Sequence, residues 1–197
     1  MKKWILFASL LPLLMFSFRV SAYEEDAPPQ NPGNVYEEEK LSGWFLGSDQ
    51  GILFFVGNSA HFIGPQYYGT LFGGYNIKGI FQPMLRLGNA VGNANAFFNP
   101  TTFFFTVEAA FKVTPIARGR FSPYFLGSLG MYILNFDDFG SPVRQNTNLT
   151  FAGGGGLEVR FGGNHNHVTI GSEYRGFVNS GPDLRSVDVT LGYAFQF

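Results

Sequence analysis

The sequence contains no cysteine. That excludes a disulfide framework and a lipid anchor attached through a thiol. Charge is scarce as well. Only 14% of the 197 residues are Asp, Glu, Lys or Arg, well below the usual quarter. A soluble domain would struggle to solvate its surface with so few charges, whereas a surface facing lipid needs few. The net charge of −1 provides no basic field for nucleic acid. Histidine occurs only as His61, His165 and His167, all placed in connections, and none shares a strand face with a Ser and a carboxylate. The expectation is a non-enzymatic protein without a cofactor. His165-Asn166-His167 has metal-pair spacing, but a lone His-x-His in a turn is a weak pattern. After residue 20 no stretch is long and apolar enough for a membrane helix, so any later crossing has to be made by strands.

What the sequence has in abundance is aromatic residues, 18% in all with 24 Phe, together with 26 Gly. Their distribution divides the chain into three. Residues 1–22 read as a signal peptide: Lys2 and Lys3 lead an apolar run that ends at Val20-Ser21-Ala22, a small-residue cleavage site. Residues 23–41 hold Glu24, Glu25, Asp26, Glu37, Glu38 and Glu39 with Pro28, Pro29 and Pro32. That composition cannot bury a core and predicts a disordered acidic tail, either a solvated leader or a docking segment for a basic partner. Residues 42–197 carry most of the aromatic and glycine content.

The clearest pattern in that third region is Val187 to Phe197. Val187, Val189, Leu191, Tyr193, Phe195 and Phe197 alternate with Asp188, Thr190, Gly192, Ala194 and Gln196. Strict period two over about ten residues predicts a strand that crosses a bilayer at a tilt. Seven earlier segments are predicted as strands: 44–56, 67–77, 80–87, 101–113, 124–136, 149–161 and 168–178. The first alternates least cleanly, with Gly47 and Gly51 as expected bulges or kinks. Lys78-Gly79 predicts a tight turn. Pro83 is awkward inside a strand because it removes a ladder donor. Gly153 to Gly156 interrupt a strand and are expected to relieve crowding in a narrow barrel. A phosphate loop would need a following helix and a Lys/Ser/Thr context that are not there. Connections after odd strands are mostly longer than those after even strands, as in outer-membrane barrels. The fold class expected is all-β, an eight-stranded antiparallel up-and-down transmembrane barrel.

The polar faces of these strands carry Lys78, Arg86, Glu108, Lys112, Glu158, Arg160, Glu173, Arg175 and Asp188. Of thirteen Lys and Arg and fourteen Asp and Glu, four and six precede Leu41, so the barrel region is nearly balanced. Eight strands enclose a space that side chains fill. The charges therefore have to pair within it, which predicts a salt-bridged, plugged lumen; the alternative is a narrow ion path. Candidate surface contacts in the long connections are His61, Phe62, Phe97, Phe98, Phe139 and Leu184.

The leader, the eight amphipathic strands, the shared-face charges and the closing Tyr193-Ala194-Phe195-Gln196-Phe197 resemble the small bacterial eight-stranded outer-membrane barrels of the OmpA, OmpX and OmpW type. The resemblance covers residues 42–197 and is architectural. It implies residence in the outer membrane after export, with outer-membrane lipid as the surroundings. It also implies that the barrel-assembly machinery reads Tyr193, Phe195 and Phe197 as an insertion signal. It carries over no peptidoglycan-binding role. The acidic leader, Thr147 to Phe151 and Ser172 to Phe177 are similar to the outer-membrane barrel associated with adventurous gliding motility. These readings imply a structural or interaction component at the cell surface, with a protein partner on its loops or acidic tail. A narrow channel or hydrophobic-ligand conduit is the alternative. A soluble lipocalin-like binder is a third reading, because Gly43-Trp44-Phe45 resembles the Gly-x-Trp opening of lipocalins.

Overall fold

The computed structural model describes residues 42–197 apart from 62, 95–100, 116–119, 137–146, 162–164 and 179–183. The expected signal peptide and acidic tail lie outside the described residues. Eight strands follow in order: β1 (Gly43–Phe55), β2 (Ile63–Asn76), β3 (Phe81–Ala94), β4 (Thr101–Val113), β5 (Phe121–Phe136), β6 (Thr147–Phe161), β7 (Asn166–Phe177) and β8 (Arg185–Gln196). Each pairs antiparallel with its chain neighbours, and β1 pairs with β8 from Phe45↔Gln196 to Phe55↔Ser186, so the sheet closes into a barrel. Closure leaves no open sheet edge, which is what a strand structure needs in hydrocarbon.

The period-two pattern sets the two faces. On β8, Ser186, Asp188, Thr190, Ala194 and Gln196 are buried inside, while Val189 and Leu191 face out. The same holds around the barrel: Trp44, Leu85, Phe125 and Leu129 stand on the exterior at 64–70% exposure. Arg86, Glu108, Glu158, Arg175 and Asp188 are at most 1% exposed inside. Apolar-out and charged-in is the arrangement of a barrel whose solvent is lipid. It is the inverse of a lipocalin, and the lipocalin-like reading of Gly43-Trp44-Phe45 is thereby overturned: Trp44 is among the most exposed side chains and lies edge-on to Tyr75 at 5.3 Å.

Local geometry explains where the strands start and stop. Lys78 and Gly79 both have positive φ, 54° and 71°, and the Ile80 amide donates to the Ile77 carbonyl at 3.1 Å. With Ile77 bridged to Phe81, Lys78, Gly79 and Ile80 form a three-residue hairpin loop built on that tight turn. Pro83 lies on the exterior of β3 between the pairs Gly74↔Met84 and Ile77↔Phe81, where the β2–β3 ladder is interrupted and no donor is needed. Pro65 falls within the register shift between Ile63 and Gln66, so β2 begins earlier than the predicted residue 67.

Other boundaries also differ. β1 pairs without interruption on both sides, so Gly47 and Gly51 are not bulges. Both point inward, and a Cβ on Gly47 would stand 2.5 Å from the Phe72 ring. β3 continues seven residues past the predicted Leu87, to Ala94. Its inward Gly88, Ala90 and Gly92 give a loop-like composition, but they are small because Tyr68, Thr106 and Gln66 occupy the space beside them. β7 begins at Asn166, which moves His167 from a predicted turn onto a strand.

Candidate functional site

The lumen is filled in storeys, each set by residues at the same height on different strands. Nearest the start of β1 and the end of β8 is a small hub. The Glu158 carboxylate on β6 receives the Lys112 ammonium on one oxygen. Its other oxygen accepts Arg160 Nε at 2.6 Å and lies 3.1 Å from His167 Nδ1. Arg160 also donates to the Gly79 carbonyl at 3.1 Å, tying the hub to the β2–β3 turn, and Lys112 Nζ lies 5.1 Å from the centre of the Tyr124 ring. Beside it Asn76 donates to Gln196 at 2.8 Å. Phe45, Phe72, Met84, Ala110 and Ala194 form an apolar layer near this level.

The middle storey is a larger network. Arg86 on β3 makes a fork with Glu173 on β7, with both N···O distances 2.8 Å. This two-pronged geometry is what guanidinium supplies and ammonium does not. Arg86 also lies 3.7 Å from Glu108 and 3.8 Å from Asp49. Arg175 donates to Glu108, donates to the Tyr68 hydroxyl at 2.9 Å, and stands 3.6 Å from Glu173 and 3.8 Å from Asp188. Ser128 donates to Glu108 at 3.0 Å, Thr70 to Asp49 at 3.2 Å, and the Glu173 amide to Asp188 at 3.2 Å. Seven of the eight strands contribute a polar group. β6 contributes Gly154, Gly156 and room: a Cβ on Gly154 would meet the backbone of Ser172, and one on Gly156 that of Ile170.

Above this, toward the longer connections, sits an apolar plug of Leu53, Phe55, Ile63, Ala90, Phe104, Tyr132, Phe177 and Leu184, with Tyr68 at its base. Phe104, Tyr132 and Phe177 meet one another at ring-centroid distances of 4.9 to 5.4 Å, partly edge to face.

The structure brings Arg86, Glu108, Lys112, Glu158, Arg160, Glu173, Arg175 and Asp188 together inside the barrel. Lys78 is a correction. The positive φ of the turn carries it past the end of β2, its side chain is exposed, and its amide donates to Ser42 at 2.9 Å. Leu184 is another: it is 5% exposed and belongs to the plug, so it is not a surface contact. His61 is exposed at the end of a 3₁₀ turn, Gly57–His61. Phe62, Phe97, Phe98 and Phe139 lie outside the described residues. At the closing strand, the Tyr193 hydroxyl donates to Asn166 at 2.5 Å and Phe195 meets Phe197 edge-on at 5.3 Å.

Among the acids and histidines of the lumen, Asp49 and His167 escaped the sequence reading. Asp49 shares the inward face of β1 with Phe45, Leu53 and Phe55. Its spacing from Phe45 and Leu53 is the signal that could have found it. His167 faces inward to Glu158, while its neighbour in the His-x-His pattern, His165, stands exposed and stacks on Phe195 at 6.2 Å. The two rings are on opposite faces of the wall and do not converge on a shared ligand.

The chemistry of this arrangement is cohesive. The guanidinium groups of Arg86, Arg160 and Arg175 and the Lys112 ammonium are engaged by carboxylates, and the carboxylates by bases or hydroxyls. Such groups tie the strands to one another across the lumen and favour one register.

No protein-family model matches the sequence, and no curated protein does. Solved structures do match. Neisserial surface protein A (NspA) superposes with a TM-score of 0.66 at 12% identity, covering 79% of this chain and 99% of NspA. The attachment invasion locus protein Ail of Yersinia pestis gives 0.49 at 16% identity over 79% and 97% of the two chains. OprG from Pseudomonas aeruginosa gives 0.47 at 12% identity over 81% and 99%. The likeness to NspA, together with the closed eight-stranded sheet, gives the chain the fold of the small outer-membrane barrels.

Proposed function

We propose that this chain is a non-enzymatic structural and interaction component of the bacterial outer membrane, with its longer connections presented at the cell surface. The packed lumen carries this reading. Two charged storeys and an aromatic plug occupy the interior, and the groups that could conduct or catalyse are bound to one another. No comparison supports the similarity to the gliding-motility barrel, and the reading does without it.

The test is electrical. Full-length protein folded into a planar bilayer is expected to give no unitary current above leak. Stable current steps that change with Glu108→Gln or Lys112→Met would mean an open charged path and would overturn the reading. Incubation of the folded protein with phospholipid and lipopolysaccharide, followed by mass spectrometry, checks the non-enzymatic half; a new lipid product would refute it.

A further inference from the structure

The outer wall is not uniform. Among the described side chains, β4 to β8 present outward between their ends only apolar residues, tyrosine, glycine and one serine. That serine, Ser172, satisfies itself by donating to the Asp188 carbonyl at 2.8 Å. The wall of β1 to β3 differs. Ser48, Gln50 and Asn89 point outward there, all part-exposed. The register places Gln50, Gly69 and Asn89 on one line across the three strands, through the pairs Gln50↔Gly69 and Gly69↔Asn89. Each of the three is close to the middle of its strand, so the line crosses the lipid-facing band well away from the aromatic ends.

The Gln50 carbonyl oxygen accepts the Tyr67 hydroxyl at 2.6 Å. The Gln50 amide N–H groups and the whole Asn89 amide have no side-chain partner among the described residues. In hydrocarbon there is no water to take them up, and an unpaired amide is costly. Two such amides in the middle of a wall whose other polar groups are a serine hydroxyl and tyrosine hydroxyls mark a place where protein, not lipid, is the neighbour.

We infer that the outer wall of β1 to β3 is the contact surface of a homodimer within the membrane. Gln50 and Asn89 of one copy hydrogen-bond across a two-fold axis with Asn89 and Gln50 of the other. The occupant is a second copy because an amide carries both donors and an acceptor. A patch of two amides is therefore complementary to itself under two-fold symmetry, the commonest arrangement of soluble homo-oligomers. Gly69 lies between the amides, and Gly73 lies on the same outward row of β2. Without side chains there, the two walls approach closely, as small residues allow in membrane helix pairs. Leu71, Leu85 and Leu87, all exposed, surround the line and supply the packing.

The absence of cysteine makes a cross-linking test clean. Leu71→Cys lies on β2 beside the line, and Leu129→Cys lies on β5, across the barrel; both native side chains are exposed. Each full-length variant is folded into phosphatidylcholine vesicles at high lipid excess and oxidised with copper phenanthroline. Leu71→Cys is expected to give disulfide-linked dimer and Leu129→Cys only collision background. Adding Gln50→Leu and Asn89→Leu to Leu71→Cys should lower the dimer yield roughly tenfold, the effect of about 1–2 kcal/mol of lost hydrogen bonding, with folding followed by heat-modifiable gel mobility. Equal cross-linking at both cysteines overturns the inference. So does a yield unchanged by the two leucines in folded protein. Coupling of Leu71→Cys in cells to a different protein, without self-coupling, overturns it too. Should the leucine variants fail to fold, the contrast between the two single cysteines decides alone.

Discussion

Replacing Arg86 by methionine removes the base at the centre of the middle storey. In the native barrel Arg86 forks to Glu173 at 2.8 Å and lies within 3.8 Å of both Glu108 and Asp49. At an effective dielectric near 20, a charge pair about 4 Å apart is worth about 4 kcal/mol before desolvation. Much of that is offset by taking the ions out of water. Breaking such a pair from one side still costs about 3–5 kcal/mol, because the partner charge remains buried. Four carboxylates, Asp49, Glu108, Glu173 and Asp188, surround only two guanidinium groups, those of Arg86 and Arg175. The storey has surplus acid, so the two halves of the fork are not equivalent. Arg86→Met should cost the full ~3–5 kcal/mol, whereas Glu173→Gln removes one excess negative charge and should cost less than half of that. The double variant should be less damaged than the sum of the singles, as interacting neighbours are. Urea titration of folding into lipid vesicles, read by gel mobility and tryptophan fluorescence, measures all three. Equal costs for the acid and the base, or a greater cost for the acid, would refute the surplus-acid account.

Two further outcomes test the wall rather than the lumen. Val189→Arg, on the outer face near the middle of β8, should lose about 2–4 kcal/mol in the same vesicle assay; folding as robust as that of the native chain would invert the inside–outside assignment. Gly153→Ala and Gly154→Ala are adjacent but face opposite ways. A Cβ on Gly153 meets nothing within 4 Å, while one on Gly154 strikes the Ser172 carbonyl. Gly153→Ala should be neutral or gain about 0.4–1 kcal/mol, and Gly154→Ala should lose about 1–3 kcal/mol; the reverse order would show that crowding is not why the glycines are there.

The sequence was most legible where the two faces of a strand differ in chemistry. On β4 the inward Glu108 and Lys112 alternate with outward Val107 and Phe111, and the predicted bounds, 101–113, are those observed. It was least legible where an inward residue is as apolar as its outward neighbour. Leu53 and Phe55 belong to the plug, while Ile52 and Phe54 face lipid. The upper end of β1 therefore reads as one apolar run, and Asp49 just below it lost its context. The far half of β3 failed for the complementary reason. Its inward Gly88, Ala90 and Gly92 are small because partners on β2 and β4 are large, a fact about neighbouring strands that β3's own composition cannot carry. Lys78 was misplaced because period two was extended one residue too far, past the point where a positive φ ends the strand.

The same residues that blurred the sequence explain why the charge network is sustainable. Arg86, Glu173 and Arg175 are held at mid-barrel, between the plug of Phe104, Tyr132 and Phe177 toward the longer connections and the apolar layer of Phe45, Phe72 and Met84 toward the start of β1 and the end of β8. Both layers keep bulk water out, and a low local dielectric strengthens every properly paired contact while raising the cost of each unpaired one. Strand register is then enforced from inside. A one-residue slip of β7 would turn Glu173 and Arg175 toward lipid and bring Tyr174 into the lumen, leaving Arg86 without its fork. The lipid-facing side chains tolerate exchange among apolar types, so they cannot specify register by themselves. Register selectivity falls to the lumen, and this gives a narrow barrel a structural use for costly buried charges.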